Sequence, residues 1–151
     1  MPFSPMQDAP QAITAARFVV SFDQSAPSYF SELSGITSEV EPTEYIASHS
    51  RSGRVVHTKQ FGKTKPPTVT LKRGVDGTGF LFAWHAMVRE GNPAAKMTGT
   101  LELQDAAGAT QMTYRLFNAW PSKVEVGNLK AGASEIVLET VTFTCEEVKA
   151  L

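Results

Sequence analysis

The sequence has a single cysteine, Cys145, and only three histidines among its 151 residues. One thiol leaves no partner for an internal disulfide, so the covalent framework of small secreted domains is excluded and a reducing cytosol is compatible. None of His49, His57 and His85 has a carboxylate or second histidine at a spacing that would direct two ligands to one metal. We therefore predict no metal site and no cofactor, and we expect Cys145 to pack in the core.

An excess of charge of one sign is also missing. The chain carries 14 Lys and Arg against 15 Asp and Glu, a net charge of -1, which excludes a globally basic nucleic-acid binder. No apolar run approaches the length of a membrane span or a signal peptide. We expect synthesis in the cytosol, with any exit by lysis or inside a larger particle.

Catalytic patterns are equally scarce. No Ser-His-Asp or Cys-His arrangement can be traced in the sequence, so an enzyme is not expected. The first ten residues contain three prolines, which predicts an irregular arm over residues 1–13. The remaining residues, 14–151, are enough for one domain with a sizeable core, and no linker divides them.

What the chain does contain is a two-residue period. Met97, Gly99, Leu101 and Leu103 alternate with polar residues, which predicts a strand with one buried face. A turn at 106–108 and a second alternating run at 111–120 complete an antiparallel hairpin. Other strands are predicted at about 15–22, 36–46, 55–61, 68–72 and 135–146.

The last of these predicted strands has a peculiarity. Ile136 and Leu138 fall on one parity, whereas Val141, Phe143 and Cys145 fall on the other. A change of buried face near residues 139–140 would follow from a β-bulge or from a strand passing between two sheets.

One helix is predicted, over residues 79–90, where Phe80, Leu81, Trp84, Met87 and Val88 follow helical spacing. Asp76 or Thr78 would cap its start, and the Gly-Asn-Pro run at 91–93 would end it. The predicted fold is mainly β, a two-sheet β-sandwich or barrel with one packed α-helix.

Charge is unevenly distributed along the chain. Residues 48–75 contain seven Lys and Arg and no acidic residue, and they follow an acidic segment. Three interpretations remain open: a solvated surface, a head-to-tail contact between identical subunits, or a nucleic-acid groove. The groove has weak support, because single-stranded nucleic acid usually stacks on several aromatic rings and the basic run contains one. We predict inter-subunit contact over 47–66, with these candidates: Arg51, Arg54, His57, Lys59, Phe61, Glu39, Glu41 and Glu44.

Several motifs, taken in order, resemble one family. They are Leu71-Lys72-Arg73-Gly74, Trp84 in the helix, and Asn118-Ala119-Trp120-Pro121-Ser122-Lys123. Together with segments at 30–35, 44–45, 99–101 and 135–140, they are similar to the tail-tube proteins of contractile phages and the inner-tube proteins of contractile injection systems. The resemblance implies a structural role for these motif residues, with tryptophans that pack and a proline that turns the chain sharply.

The same resemblance implies which molecules this protein assembles with. Such subunits form six-membered rings that stack into a hollow tube inside a sheath, with baseplate and tube-terminator proteins at the ends and DNA or protein cargo in the lumen. No membrane is involved in the resting state. Assembly in the bacterial cytoplasm, then residence in a virion or injection particle, is the expected course.

Alternatives remain at the level of sequence. The Pro-rich start is unlike the family, so a specialised tube-end paralogue stays open. A nucleic-acid-binding β-barrel is a second alternative, and a small-molecule-binding barrel or enzyme is a third.

Overall fold

The computed structural model describes residues 12–23, 25–48, 55–127, 131–132 and 136–151, with side chains at 45–48 and 55–58 left undescribed. The predicted arm therefore lies mostly outside the described residues. The strands are β1 Arg17–Phe22, β2 Ser28–Phe30, β3 Glu32–Ser48, β4 Val55–Gly74, β5 Met97–Gln104, β6 Thr110–Val126, β7 Leu138–Thr144 and β8 Glu147–Ala150. One α-helix, α1 Phe80–Arg89, and a 3₁₀ turn, Pro93–Ala95, lie between β4 and β5.

The strands form one antiparallel sheet in the order β2-β1-β5-β6-β7-β4-β3, with β8 also paired to β6. The sheet is not closed into a barrel. Strand β6 joins the two halves of this sheet. Its residues 110–119 pair with β5 in one half, and its residues 120–126 pair with β7 in the other. The prediction of a mainly β fold with one packed helix is confirmed.

The two halves of the sheet pack face to face. The ring of Phe22 on β1 lies 5.6 Å from that of Phe143 on β7, although two strands separate β1 from β7 in the sheet. Trp84 of α1 lies 4.7 Å from Phe22 and 5.4 Å from Phe143. The sheet therefore folds over a shared core that the helix closes on one side, and Leu71, Leu101 and Leu116 fill it from three strands.

The helix start differs from the prediction in part. Gly79 occupies the N-cap with a φ of 64°, and the Thr78 hydroxyl oxygen accepts from the amide of Phe80, the first helical residue, at 3.4 Å. The Asp76 carboxylate accepts instead from the Thr78 amide at 3.0 Å and the Thr78 hydroxyl at 2.7 Å, closing the turn before the helix. Glycine is suited to this left-handed position because it has no Cβ.

Two strand predictions are corrected. The segments at 55–61 and 68–72 are parts of one strand, β4, because the polar residues between them continue the pairing with β3. The predicted change of buried face near 139–140 is wrong. Glu139, Val141, Phe143 and Cys145 are all buried on one parity, whereas Leu138 is 44% exposed and Ile136 78% exposed at the uncovered end of the sheet.

Cys145 is buried, as predicted. Burial raises the pKa of its thiol to about 11, since the thiolate would lose its hydration in an apolar environment. The thiol therefore stays neutral at physiological pH and acts as a small apolar group.

Candidate assembly surfaces

The distal part of the β3–β4 pair extends beyond the rest of the sheet. From Glu39 paired with Lys65 to Ser48 paired with Val55, the described pairing of these strands is with each other, because β7 joins β4 only from Thr68 onward. Nearly every side chain described in this part is exposed on both faces. We call residues 39–48 and 55–66 the projecting hairpin. A two-stranded ribbon of this kind has little core of its own, so contact with another surface would stabilise it.

The charges predicted to meet across two subunits lie partly within this hairpin. Lys65 Nζ is 3.5 Å from a carboxylate oxygen of Glu39 and 3.5 Å from one of Glu41. Glu44 is directly across from Lys59 in the strand register. Pairs that are about half exposed contribute only about 0–1 kcal/mol. The acidic and basic segments thus form one surface of mixed charge within a single chain. Because these exposed ion pairs are weak, replacing them with ion pairs to a neighbouring molecule would cost little energy.

The other predicted contact residues fall as follows. Arg51 and Arg54 lie outside the described residues, and His57 lies on β4 with its side chain undescribed. Phe61 is described and is 99% exposed. Full exposure of a phenylalanine side chain is unfavourable by roughly 1.5–3 kcal/mol relative to its burial.

The motif at 71–74 has a structural role. Leu71 is fully buried, and Arg73 is 8% exposed on the same face of β4. Arg73 Nε donates to Glu139 Oε1 on β7 at 2.6 Å, and the guanidinium carbon lies 5.5 Å from the Phe30 ring centre. The Arg73–Glu139 pair therefore links β4 to β7. The contact of Arg73 with Phe30 also fixes the end of β2, just before β3 begins.

The carboxylate of Asp76 adds to this group of charges. One oxygen lies 3.7 Å from Arg73 Nη1. Hydrogen bonds from the Thr78 backbone and hydroxyl, with a smaller contribution from Arg73, hold the Asp76 pKa below its usual value. The carboxylate is therefore charged at physiological pH and exposed at this end of β4.

The second motif lies where β6 passes from one half of the sheet to the other. Asn118 has a φ of 47° and donates from Nδ2 to Glu146 Oε2 at 2.8 Å. Pro121 is fully buried, and its carbonyl oxygen is 2.8 Å from Nδ1 of His85. Asparagine tolerates a positive φ better than most residues, so this motif sets the bend in β6.

Trp84 and Trp120 differ in burial. Trp84 is 3% exposed and donates from Nε1 to the Ala95 carbonyl at 2.6 Å. Trp120 is only partly buried, beside the 3₁₀ turn and the base of the projecting hairpin. Trp84 thus packs within the core, whereas Trp120 lies at the surface of the core.

A cleft of about 710 Å³ between β1, β2 and the start of α1 is lined by Arg17, Tyr29, Arg73 and Asp76 among others, with no histidine or cysteine in its lining. Among the residues that the structure describes, no three His, Cys, Asp or Glu side chains are grouped as metal ligands. No helix in the described ranges is long and apolar enough to span a membrane.

The chain thus combines a folded antiparallel sheet, one helix that closes its core and a long projecting hairpin. The family model of the T4-like virus tail tube protein gp19 matches residues 14–149. The chain belongs to this family. No match was found among curated protein sequences.

Solved structures with this fold come from contractile injection systems. A chain of the extracellular contractile injection system PVC, in its extended sheath-tube complex, is 25% identical with a TM-score of 0.75, and the match covers 99% of each chain. A chain of the PVC sheath/tube terminator is also 25% identical, with a TM-score of 0.74, covering 94% of this chain and 98% of that one. A chain from the tube terminating cap of the anti-feeding prophage is 21% identical with a TM-score of 0.75, covering 99% of both, and this likeness concerns the fold.

Proposed function

We propose that this protein is the subunit of the inner tube of a contractile phage tail or a phage-like contractile injection system. The observation that carries the proposal is the family match over 14–149, supported by the full-length likeness to a chain of the PVC sheath-tube complex. Subunits close into six-membered rings, and the rings stack into a hollow conduit. The protein acts mechanically, without catalysing a reaction.

The proposed partners follow from that role. Copies of this chain contact each other within and between rings, a sheath surrounds the tube, and baseplate and terminator proteins close its ends. DNA or a protein cargo passes through the lumen. Assembly takes place in the bacterial cytoplasm, residues 14–151 act as one domain, and residues 1–13 form an arm outside it.

Contacts between subunits involve the projecting hairpin. Its charges are exposed and only weakly paired within the chain, and Phe61 presents an apolar ring to solvent. Lys59, Glu39, Glu41 and Glu44 supply charges of both signs, so one hairpin can exchange ion pairs with a neighbour at small electrostatic cost.

Negative-stain electron microscopy of the purified protein over a range of concentrations tests the proposal. Rings at low concentration and hollow tubes at high concentration are expected. Single rings or short stacks that never lengthen would indicate a tube-end role. Monomers at every concentration, even with sheath and baseplate proteins added, would contradict the tube function.

A further inference from the structure

The turn between β4 and α1 contains an aspartate followed directly by a glycine, Asp76-Gly77. Both residues are exposed, and the Asp76 side chain is 49% exposed. Gly77 has a φ of 82° and open space where a Cβ would lie. The backbone nitrogen of Gly77 is therefore sterically unhindered beside the Asp76 side chain.

An aspartate in this position can isomerise with water as the only other reactant. The Gly77 nitrogen attacks Cγ of the protonated Asp76 carboxyl group and loses its proton, and one water molecule leaves as the new N–Cγ bond closes a succinimide ring. Water then adds to one of the two ring carbonyls and opens the ring. Breaking the bond from the nitrogen to the Asp76 backbone carbonyl leaves the chain running through Cβ and Cγ, which is isoaspartate, whereas breaking the N–Cγ bond restores aspartate.

Thr78 opposes the first step by holding the carboxylate that would react. Its amide donates to Asp76 Oδ1 at 3.0 Å, and its hydroxyl donates to the same oxygen at 2.7 Å. These hydrogen bonds, with a smaller contribution from Arg73, hold the Asp76 pKa below its usual value, so the protonated form that closes the ring is scarce. The carboxylate must leave Thr78 and take up a proton before it can react.

Asp105 provides a comparison within the same chain. It also lies in a turn, and its Oδ1 accepts from the amides of Ala107 at 3.0 Å and Ala109 at 2.9 Å. The residue that follows it is Ala106, whose Cβ restricts the approach of its nitrogen to the carboxyl group. The two aspartates therefore differ chiefly in the residue that supplies the nucleophile, and Asp76 is the more reactive of the two.

We propose that Asp76-Gly77 is a site of spontaneous isoaspartate formation and that the hydrogen bonds from Thr78 limit its rate. The product lengthens the backbone between β4 and α1 by one methylene group and takes the carboxylate out of its position beside Thr78 and Arg73. Arg73, which is 8% exposed, then keeps Glu139 as its carboxylate partner. The modification thus acts on the charges that surround a buried ion pair.

Peptide mapping of the full-length protein tests the site. Trypsin releases residues 74–89, which contain Asp76, and residues 97–115, which contain Asp105. The protein is incubated in neutral buffer at physiological temperature, and samples taken over several weeks are digested. Isoaspartate is identified by its separate chromatographic retention and by the backbone fragments that electron-transfer dissociation yields from isoaspartate alone. We expect it to accumulate at Asp76 and not at Asp105.

Two variants of Thr78 test the control of the rate. Thr78→Val keeps the size of the side chain and removes the hydroxyl donor, so the rate at Asp76 should rise about fivefold, as expected for the loss of one hydrogen bond. Thr78→Ser keeps the hydroxyl and should stay near the rate of the unmodified protein. Circular dichroism before incubation should be the same for all three proteins, and the rate at Asp105 should not change.

Each part of the proposal can fail separately. Absence of isoaspartate from the peptide 74–89 in all three proteins, or equal amounts at Asp76 and Asp105, would overturn the proposed site. Equal rates for Thr78→Val and Thr78→Ser would overturn the control by Thr78. Neither result bears on tube formation, which electron microscopy tests independently.

Discussion

Removing the Glu139 carboxylate should leave a buried cation without its partner. The Arg73 side chain is 10% exposed and that of Glu139 5%, and Nε and Oε1 are 2.6 Å apart. Breaking one half of a buried pair costs about 3–5 kcal/mol, because the remaining charge keeps its desolvation cost. Asp76, at 3.7 Å from Nη1, still offsets part of that cost, so about 3 kcal/mol is expected for Glu139→Ala.

Urea unfolding of the unassembled protein measures this loss. With a slope of about 2 kcal/mol per molar urea, the midpoint should fall by about 1–2 M. The matched control is the double variant Arg73→Met with Glu139→Leu, which removes both charges and should recover most of the stability. A midpoint within 0.3 M of the unmodified protein for Glu139→Ala, or a double variant as unstable as the single one, would refute the reasoning; this threshold corresponds to about 0.6 kcal/mol.

Three further changes test other parts of the fold. Trp84→Ala should lower the free energy of unfolding by about 3–5 kcal/mol in urea titrations, since it empties the core beneath α1, and a loss under 1 kcal/mol would contradict that packing. Gly99→Ala should destabilise by more than 1 kcal/mol, because its Cβ would clash with the Ser21 carbonyl oxygen, whereas Gly35→Ala, with open space around it, serves as the control. Stability should fall as pH rises from 9 toward 11, because the unfolded chain ionises the Cys145 thiol first, and Cys145→Ala should lose that part of the pH dependence.

Local sequence patterns predicted most of the elements. The hairpin of β5 and β6 and the helix were recognised because apolar residues recur in them at a regular spacing. The short strand β2 was missed, since three residues, Ser28–Phe30, are too few to show a period. The prediction of a change of buried face in β7 was wrong because Ile136 and Leu138 are apolar but exposed. Whether an apolar residue is buried depends on the elements that pack over it, which the local sequence does not show.

The assembly surfaces were predicted less completely. The projecting hairpin was found from its composition, because a segment so rich in charge contributes little to a core. The ion pairs of Lys65 with Glu39 and Glu41 depend on a register shifted by irregularities in the pairing of β3 with β4, which no local pattern reveals.

β6 gives the subunit a mechanical property. Its 17 residues form one strand that runs through both halves of the sheet, so the backbone of β6 itself joins the two halves. A push on the half that carries the projecting hairpin is therefore passed through the backbone itself to the half that carries β1 and β5. In a column of such subunits, thrust applied at one end would pass through each subunit along this shared strand.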